Sequence, residues 1–373
     1  MRNSKRILSI SVSAGAGHVR AAQALCAAGE KYFEGVETIH LDLLDLVPSL
    51  FKKSYGEGYL KLVERHPALW GYFYEKTNHT RSDSKLRRLQ YAVERLNTKK
   101  LEKLIEQLKP DAIIATHFMP AQLLSRLLGR EELNLPVWVA VTDFDVHSLW
   151  IQKHMRGYFA ANGEVAFRMA AMGIDPSAVR VTGIPLMPVF SETLSKDECR
   201  KELGLSPGKT TFLMMSGGAG IGGIDGLAKR VLDVEGDFQV VAIAGRNEVL
   251  HSGLRELAKR YPGKLFPMGF TTTIERVMAA SDIAITKPGG LTSSECLAMG
   301  LGMIVVSPIP GQEERNAEYL MENGAALKAH DVAGLEYRVR LLLGDRERIT
   351  ALRRNALALG RPEAARSALE AVL

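Results

Sequence analysis

The sequence predicts an α/β protein built from two Rossmann-like, doubly wound domains facing each other across a cleft. Three observations carry that expectation. Short β-rich runs alternate with helical periods through both halves, as parallel βαβ units require. Glycine-rich turns fall at the ends of several of those runs, where ligands bind in such folds. The 373 residues are also enough for two domains of ordinary size.

In chain order, Arg6–Val12 reads as a strand, Gly17–Lys31 as an Ala-rich helix and Val36–Leu41 as a second strand. A long helical region over Lys52–Leu108 follows, broken near Pro67 and over Asn78–Asp83. Strands recur at Ala112–Thr116, Val137–Thr142, Tyr158–Ala161 and Val179–Thr182. The segment Gly183–Pro188 sets two prolines beside an apolar run and reads as an interdomain crossing. From Thr210 the rhythm restarts, with strands at Thr211–Met215, Val240–Ala244, Leu265–Met268, Ile283–Thr286 and Met303–Val306. Arg346–Leu373 reads as helix interrupted by Gly360 and Pro362. The expected domains are 1–185 and 186–355, with a final helix, 356–373, packing back toward the first.

Apolar content of 46% and charged content of 24% describe a soluble globular chain. No apolar run approaches the roughly 20 residues needed to span a bilayer. The basic N-terminus leads into alternation and a glycine turn, so it reads as a first strand and not as a signal peptide. Cys26, Cys199 and Cys296 have no ligand spacing, which points to reduced thiols in the cytosol, with no disulfide and no zinc. The net charge of +6 is concentrated between Phe51 and Lys109, where 14 Lys/Arg stand against 7 Asp/Glu. Lys52, Lys53, Tyr55, Trp70, Tyr72, Phe73, Arg87 and Arg88 lie in that stretch. Basic residues among aromatics suit an anionic membrane surface, or single-stranded nucleic acid; a solvated helical pair would also explain them.

Five constellations fall at strand ends. Lys287-Pro288-Gly289-Gly290-Leu291-Thr292 is a turn into a helix, built to hold an anion on backbone N–H groups. Glu295, further along that helix, can accept two hydrogen bonds from a ribose diol, and together they describe a nucleotide-diphosphate-sugar site. Ser13-Ala14-Gly15-Ala16-Gly17-His18 places His18 in the first turn of a helix, whose positive end disfavours imidazolium. His18 is therefore a candidate general base. Gly218, Gly220 and Gly223 satisfy G-x-G-x-x-G, but the next strand ends Ala244-Gly245-Arg246-Asn247 with no acid for an NAD ribose. Arg246 suits either a 2′-phosphate or a sugar-nucleotide diphosphate. Gly311-Gln312-Glu313-Glu314-Arg315-Asn316 offers amide and acid groups to sugar hydroxyls, or ordinary helix capping. In Asp143-Phe144-Asp145-Val146-His147 the acids and His147 suit a metal, yet their half lacks the nucleotide-like loops. A cleft-lining role for Asp143 and His147, beside His117 at another strand end, is the preferred reading.

Taken together, the Ser13–His18, Lys287–Glu295 and Gly311–Asn316 runs, in this order, resemble the monogalactosyldiacylglycerol synthase and processive diacylglycerol glucosyltransferase family, glycosyltransferase family 28. The likeness spans nearly the whole chain and extends more distantly to the N-acetylglucosaminyltransferase that makes lipid II. It implies a GT-B fold and an inverting, metal-independent hexosyltransferase that uses UDP-glucose or UDP-galactose. It implies His18 as base, with Gly17 beside it, and Glu295 on the ribose. The amides of Gly217, Gly218, Gly290, Leu291 and Thr292 would hold the diphosphate, and the Phe270 backbone the uracil. Gln312, Glu313 and Asn316 would meet the sugar. Ala16 stands where the family often has glycine, and Gln-Glu-Glu replaces a two-amide pair.

The resulting expectation is hexose transfer to diacylglycerol by a cytoplasmic, peripherally membrane-associated enzyme with no cofactor, no metal and no nucleic-acid partner. A UDP-sugar 2-epimerase on the same fold and an NADP oxidoreductase are the rival expectations.

Overall fold

The computed structural model describes residues 4–13, 15–47, 99–215 and 223–373. They form two α/β units. The first holds six strands, β1 Lys5–Ser11, β2 Val36–Asp42, β3 Ala112–Ala115, β4 Val137–Ala140, β5 Gly157–Ala160 and β6 Val179–Val181. They pair in the order β2-β1-β3-β4-β5-β6, all parallel. Side chains alternate across such a sheet, so both faces must be apolar. Leu8, Ile10, Ile113 and Val137 join one core, while Ile7, Ala112, Ile114, Trp138 and Phe159 join the other.

That second core is completed by the chain's last helix, Ala364–Val372, whose Ala365, Ala368 and Leu369 pack with Ala24 and Ala28 of the helix Ala16–Tyr32. Small residues on both helices let the backbones approach closely. Gly157 allows a similarly tight fit at β5. A Cβ there would stand 2.3 Å from the Trp138 ring and 2.6 Å from the Ala178 carbonyl oxygen. Trp138 instead lies flat on Phe159, with ring centroids 5.1 Å apart.

The second unit repeats the plan with β7 Thr210–Met215, β8 Phe238–Ile243, β9 Leu265–Met268, β10 Ile283–Thr286, β11 Gly302–Val306 and β12 Ala326–Ala329. The order is β12-β11-β10-β7-β8-β9, again parallel throughout. The predicted strands recur with ends moved by one or two residues. β12 is an addition that the sequence did not predict. Its Ala-Leu-Lys-Ala consists of good helix formers, and it is a strand because it pairs with β11, Met303 opposite Ala326. Beneath β10, Asp282 accepts from the Thr211 N–H at 2.7 Å, Arg200 at 2.8 Å and Arg353 at 3.3 Å, and it also pairs with Lys196. This one carboxylate ties the helices Lys196–Glu202 and Arg346–Leu359 to the sheet.

Candidate active site

In each unit the strand order reverses beside the first strand, between β1 and β3 in the first and between β7 and β10 in the second. Ligands in doubly wound sheets bind outside the carboxyl ends of the strands at such a switch point. The helices that follow β1, β7 and β10 are capped by Gly15, Gly223 and Gly289, with no side-chain hydrogen bond to the cap. By contrast, Asn162, Asn247, Asp331 and Asp345 cap helices elsewhere through their side chains. Uncapped first turns leave N–H groups for a ligand.

His18 stands at the first of these openings. Gly15 takes φ 124° and ψ 152°, a region that favours glycine, so the unusual backbone falls there and Ala16 simply begins the helix. His18 Nδ1 lies 3.0 Å from the Thr116 carbonyl oxygen and 2.8 Å from Thr142 Oγ1. A carbonyl can only accept, so Nδ1 bears the proton and Nε2 carries the lone pair. The Thr116 hydroxyl donates to the main-chain carbonyl of His18 at 2.9 Å, fixing the residue from a second side. Burial pushes the imidazole down to about 4, against an upward pull from the Thr116 carbonyl. The neutral form expected from the helix end therefore owes most to desolvation.

His117 meets His18 edge-on, with ring centroids 4.6 Å apart and planes at 88°. It is 3% exposed, and its Nδ1 accepts the Met119 N–H at 3.1 Å as cap of the helix Phe118–Gly129. Neutral His117 is therefore protonated at Nε2. Burial, and then the neighbouring His18, hold it well below the ordinary histidine range. Trp150 lies against both rings, at 6.2 Å and 6.3 Å between centroids. Buried His147 caps the short turn Ser148–Trp150 by accepting the Leu149 N–H at 3.1 Å. The two acids of Asp143-Phe144-Asp145 serve different partners. Gln312 Nε2 donates to Asp143 Oδ2 at 2.8 Å, and Arg168 pairs with Asp145 at 3.4 Å. Pro310–Gln312 groups with the first unit. Among the described residues no cluster of three His, Cys, Asp or Glu side chains could hold a metal ion.

In the second unit Gly290, Leu291 and Thr292 form the first turn of the helix Gly290–Ala298, and the half-buried Glu295 lies one turn deeper. The turn is braced from behind. Asn316, 0% exposed, donates through Nδ2 to the Pro288 carbonyl at 3.1 Å. Glu313 accepts the Ile309 N–H at 2.7 Å, fixing the loop that leads into the helix Gln312–Glu322. At the ends of β8 and β9 the Arg246 guanidinium stacks over the Phe270 ring at 4.7 Å, and Phe270 is 59% exposed. Gly217 and Gly218 lie outside the described residues, as do Lys52, Lys53, Tyr55, Trp70, Tyr72, Phe73, Arg87 and Arg88.

Sequence reasoning found the histidines at the strand ends but passed over Thr116 and Thr142. Their contacts with His18 depend on β1, β3 and β4 being close in space. The only signal in the sequence is that each immediately precedes a candidate residue, His117 or Asp143.

Two family models match the chain. Monogalactosyldiacylglycerol synthase matches residues 18–186, and the C-terminal domain of glycosyltransferase family 28 matches 224–358. A processive diacylglycerol β-glucosyltransferase of Staphylococcus epidermidis is 31% identical over 326 residues, covering 86% of this chain and 80% of the relative. Its counterpart from Bacillus licheniformis is 29% identical over 367 residues, covering 96% and 92%. Among solved structures, MurG of Acinetobacter baumannii superposes with a TM-score of 0.66 at 16% identity, covering 99% of both chains. The fold is thus GT-B.

Proposed function

The chain belongs to the family of monogalactosyldiacylglycerol synthases and processive diacylglycerol β-glucosyltransferases, and from that membership we propose that it moves a hexose from a UDP-sugar to diacylglycerol. The relatives' names favour glucose as the sugar. The observation that carries the chemistry is the hold on His18, which leaves Nε2 with its lone pair while Nδ1 is occupied. Nε2 takes the proton of the primary hydroxyl as that oxygen bonds to the anomeric carbon. The bond from the anomeric carbon to the UDP oxygen breaks in the same displacement, and the electron pair leaves with UDP. One in-line displacement inverts the centre, so an α-linked donor gives a β-glycolipid.

The departing charge needs donors that are already oriented. The uncapped first turn at Gly290–Thr292 supplies N–H groups at a helix N-terminus, and Gly217 and Gly218 belong with them by family likeness. Glu295 holds the ribose, and Phe270 the base through its backbone, with Arg246 beside it. Gln312 and Glu313 serve the sugar, and Asn316 serves it by bracing the turn. Backbone amides take the role a metal would have, which fits two aspartates whose side chains are engaged with Gln312 and Arg168. Activity is accordingly expected to persist in EDTA.

No helix among the described residues is long and apolar enough to cross a membrane. The basic, aromatic stretch that contains Lys52, Trp70 and Arg87 is proposed to rest on an anionic leaflet from the cytoplasmic side and to admit the lipid. The test offers UDP-glucose, UDP-galactose and UDP-N-acetylglucosamine with diacylglycerol in mixed micelles and reads the product by mass spectrometry. β-Glucosyldiacylglycerol is the expected product. Hydrolysis or 2-epimerisation of the donor with no glycolipid would overturn the proposal. Flotation on anionic and on neutral vesicles tests the membrane surface, and equal binding to both would count against it.

A further inference from the structure

The contacts around His18 include a side chain that the transfer chemistry above leaves without a role. We propose that Thr142 is a positioning residue for the base. Its hydroxyl oxygen and the Thr116 carbonyl together grip the Nδ1–H of His18, so that two neutral oxygens orient the imidazole and present Nε2 to the acceptor hydroxyl. Thr142 has this role only if His18 is the base of the proposed transfer.

The geometry leaves one consistent arrangement of hydrogens. With the proton on Nδ1, one N–H is shared between oxygens at 3.0 Å and 2.8 Å. With the proton on Nε2, the Nδ1 lone pair would face the carbonyl lone pairs at 3.0 Å, which is repulsive. Thr116 and Thr142 also divide the work. The Thr116 hydroxyl is spent on the His18 main chain at 2.9 Å, so among the described side chains it is Thr142 that hydrogen-bonds the ring. Thr142 is 4% exposed and follows β4 by two residues, which places it at the carboxyl end of that strand.

A hydroxyl in that place does something a carboxylate would not. A carboxylate would stabilise imidazolium before substrate arrives and so keep the base occupied near neutral pH. The Thr142 oxygen adds no net charge. Its dipole favours positive charge on the ring only as the proton is transferred. Among the described residues, the ionisable group in contact with the ring is His117, edge-on and itself neutral, while Asp143, next in the chain to Thr142, is hydrogen-bonded by Gln312. Burial and the Thr116 carbonyl are what set the His18 titration.

Three substitutions test this. Thr142→Val keeps the shape and is expected to lower kcat by about 10- to 100-fold, the loss of one hydrogen bond to a developing cation, with both KM values nearly unchanged. Thr142→Ser is expected to recover most of that loss. Thr142→Asp is expected to move the acid limb of the kcat/KM profile upward by about one pH unit or more. Nitrogen NMR of histidine-labelled protein, assigned with His18→Gln, reads the ring without any need for activity. Wild type should show His18 protonated at Nδ1, and Thr142→Val should lower its titration midpoint.

A Thr142→Val protein with wild-type kcat and an unchanged His18 titration would overturn the proposal, as would wild-type His18 protonated at Nε2. If wild type transferred no sugar to any lipid alcohol, the transferase reading would fail. The nitrogen shifts would still decide whether Thr142 holds the ring.

Discussion

An ordinary histidine base would make this enzyme fail on the acid side near 6.5; with His18 as the proposed base, that failure is expected about two and a half pH units lower, near 4. The sign follows from the role. A base must be unprotonated, so activity is full above its pKa and falls as pH drops through it. At pH 5 an imidazole of pKa about 4 is roughly 90% free base, against roughly 3% for one at 6.5, so the two cases differ by about thirtyfold in kcat/KM. The cause is burial of the ring among His117, Trp150 and the ends of β3 and β4, and no substitution is needed to observe it.

The measurement is kcat/KM for sugar transfer to diacylglycerol in neutral-detergent micelles from pH 4 to 8.5, because that ratio reports the free enzyme. His18→Gln serves as the control. It should lose about 10²- to 10⁴-fold in kcat, the usual contribution of a general base, while UDP affinity stays within about twofold. The same depressed pKa has a stability signature of matching sign. Folding favours the neutral ring, so its contribution is fully present above 6.5 and is lost as pH falls toward about 4. The gap corresponds to about 3 kcal/mol, and wild type should lose about that much more than His18→Gln across the window, because the buried His117 titrates in both. An acid limb centred between 6 and 7, or a His18→Gln protein keeping a tenth or more of wild-type kcat, would refute this account of the base.

Two further outcomes follow from contacts away from His18. Asp282→Asn should cost about 3–5 kcal/mol in urea unfolding, because Arg200, only 6% exposed at its side chain, is left without its counter-charge. Burial alone would push the Asp282 carboxyl up, but Lys196, the Thr211 N–H and Arg200 hold it below the usual range. Its contribution should therefore be present above about pH 4 and fade as pH falls through the lower folded value. Asn316→Ala should release the Pro288 carbonyl and weaken UDP binding by about tenfold in calorimetry, with little change in the His18 titration. Unaltered UDP affinity would show that the turn holds its shape without that brace.

The architecture was legible because its signals are local. A glycine turn after an apolar run announces a strand end and a helix start soon after it, and Gly15, Gly223 and Gly289 each stand at the start of such a helix. β12 was not legible, because Ala-Leu-Lys-Ala is a strand only by virtue of Met303 and Ile304 beside it. Asn316 belongs with β12 in this respect. Its position after the Gly311 turn suggests a sugar contact, while its burial and its bond to Pro288 become visible only when two distant segments meet.

The same distinction explains why the proposed base is visible in the sequence and the groups that hold it are not. His18 announces itself by sitting in the first turn after a glycine run. Thr116 lies 98 residues further along and Thr142 lies 124, and both reach His18 because β3 and β4 follow β1 in the sheet. A carboxylate in the place of Thr142 would have stood out as half of a familiar pair. A threonine at a strand end is ordinary, since β-branched residues favour strands for reasons unrelated to chemistry. A base oriented by neutral oxygens is thus hard to detect in a sequence for the same reason that it stays unprotonated. In both respects what matters is that the two described partners of Nδ1, the Thr116 carbonyl and the Thr142 hydroxyl, are neutral, and only the packing of the first sheet brings them there.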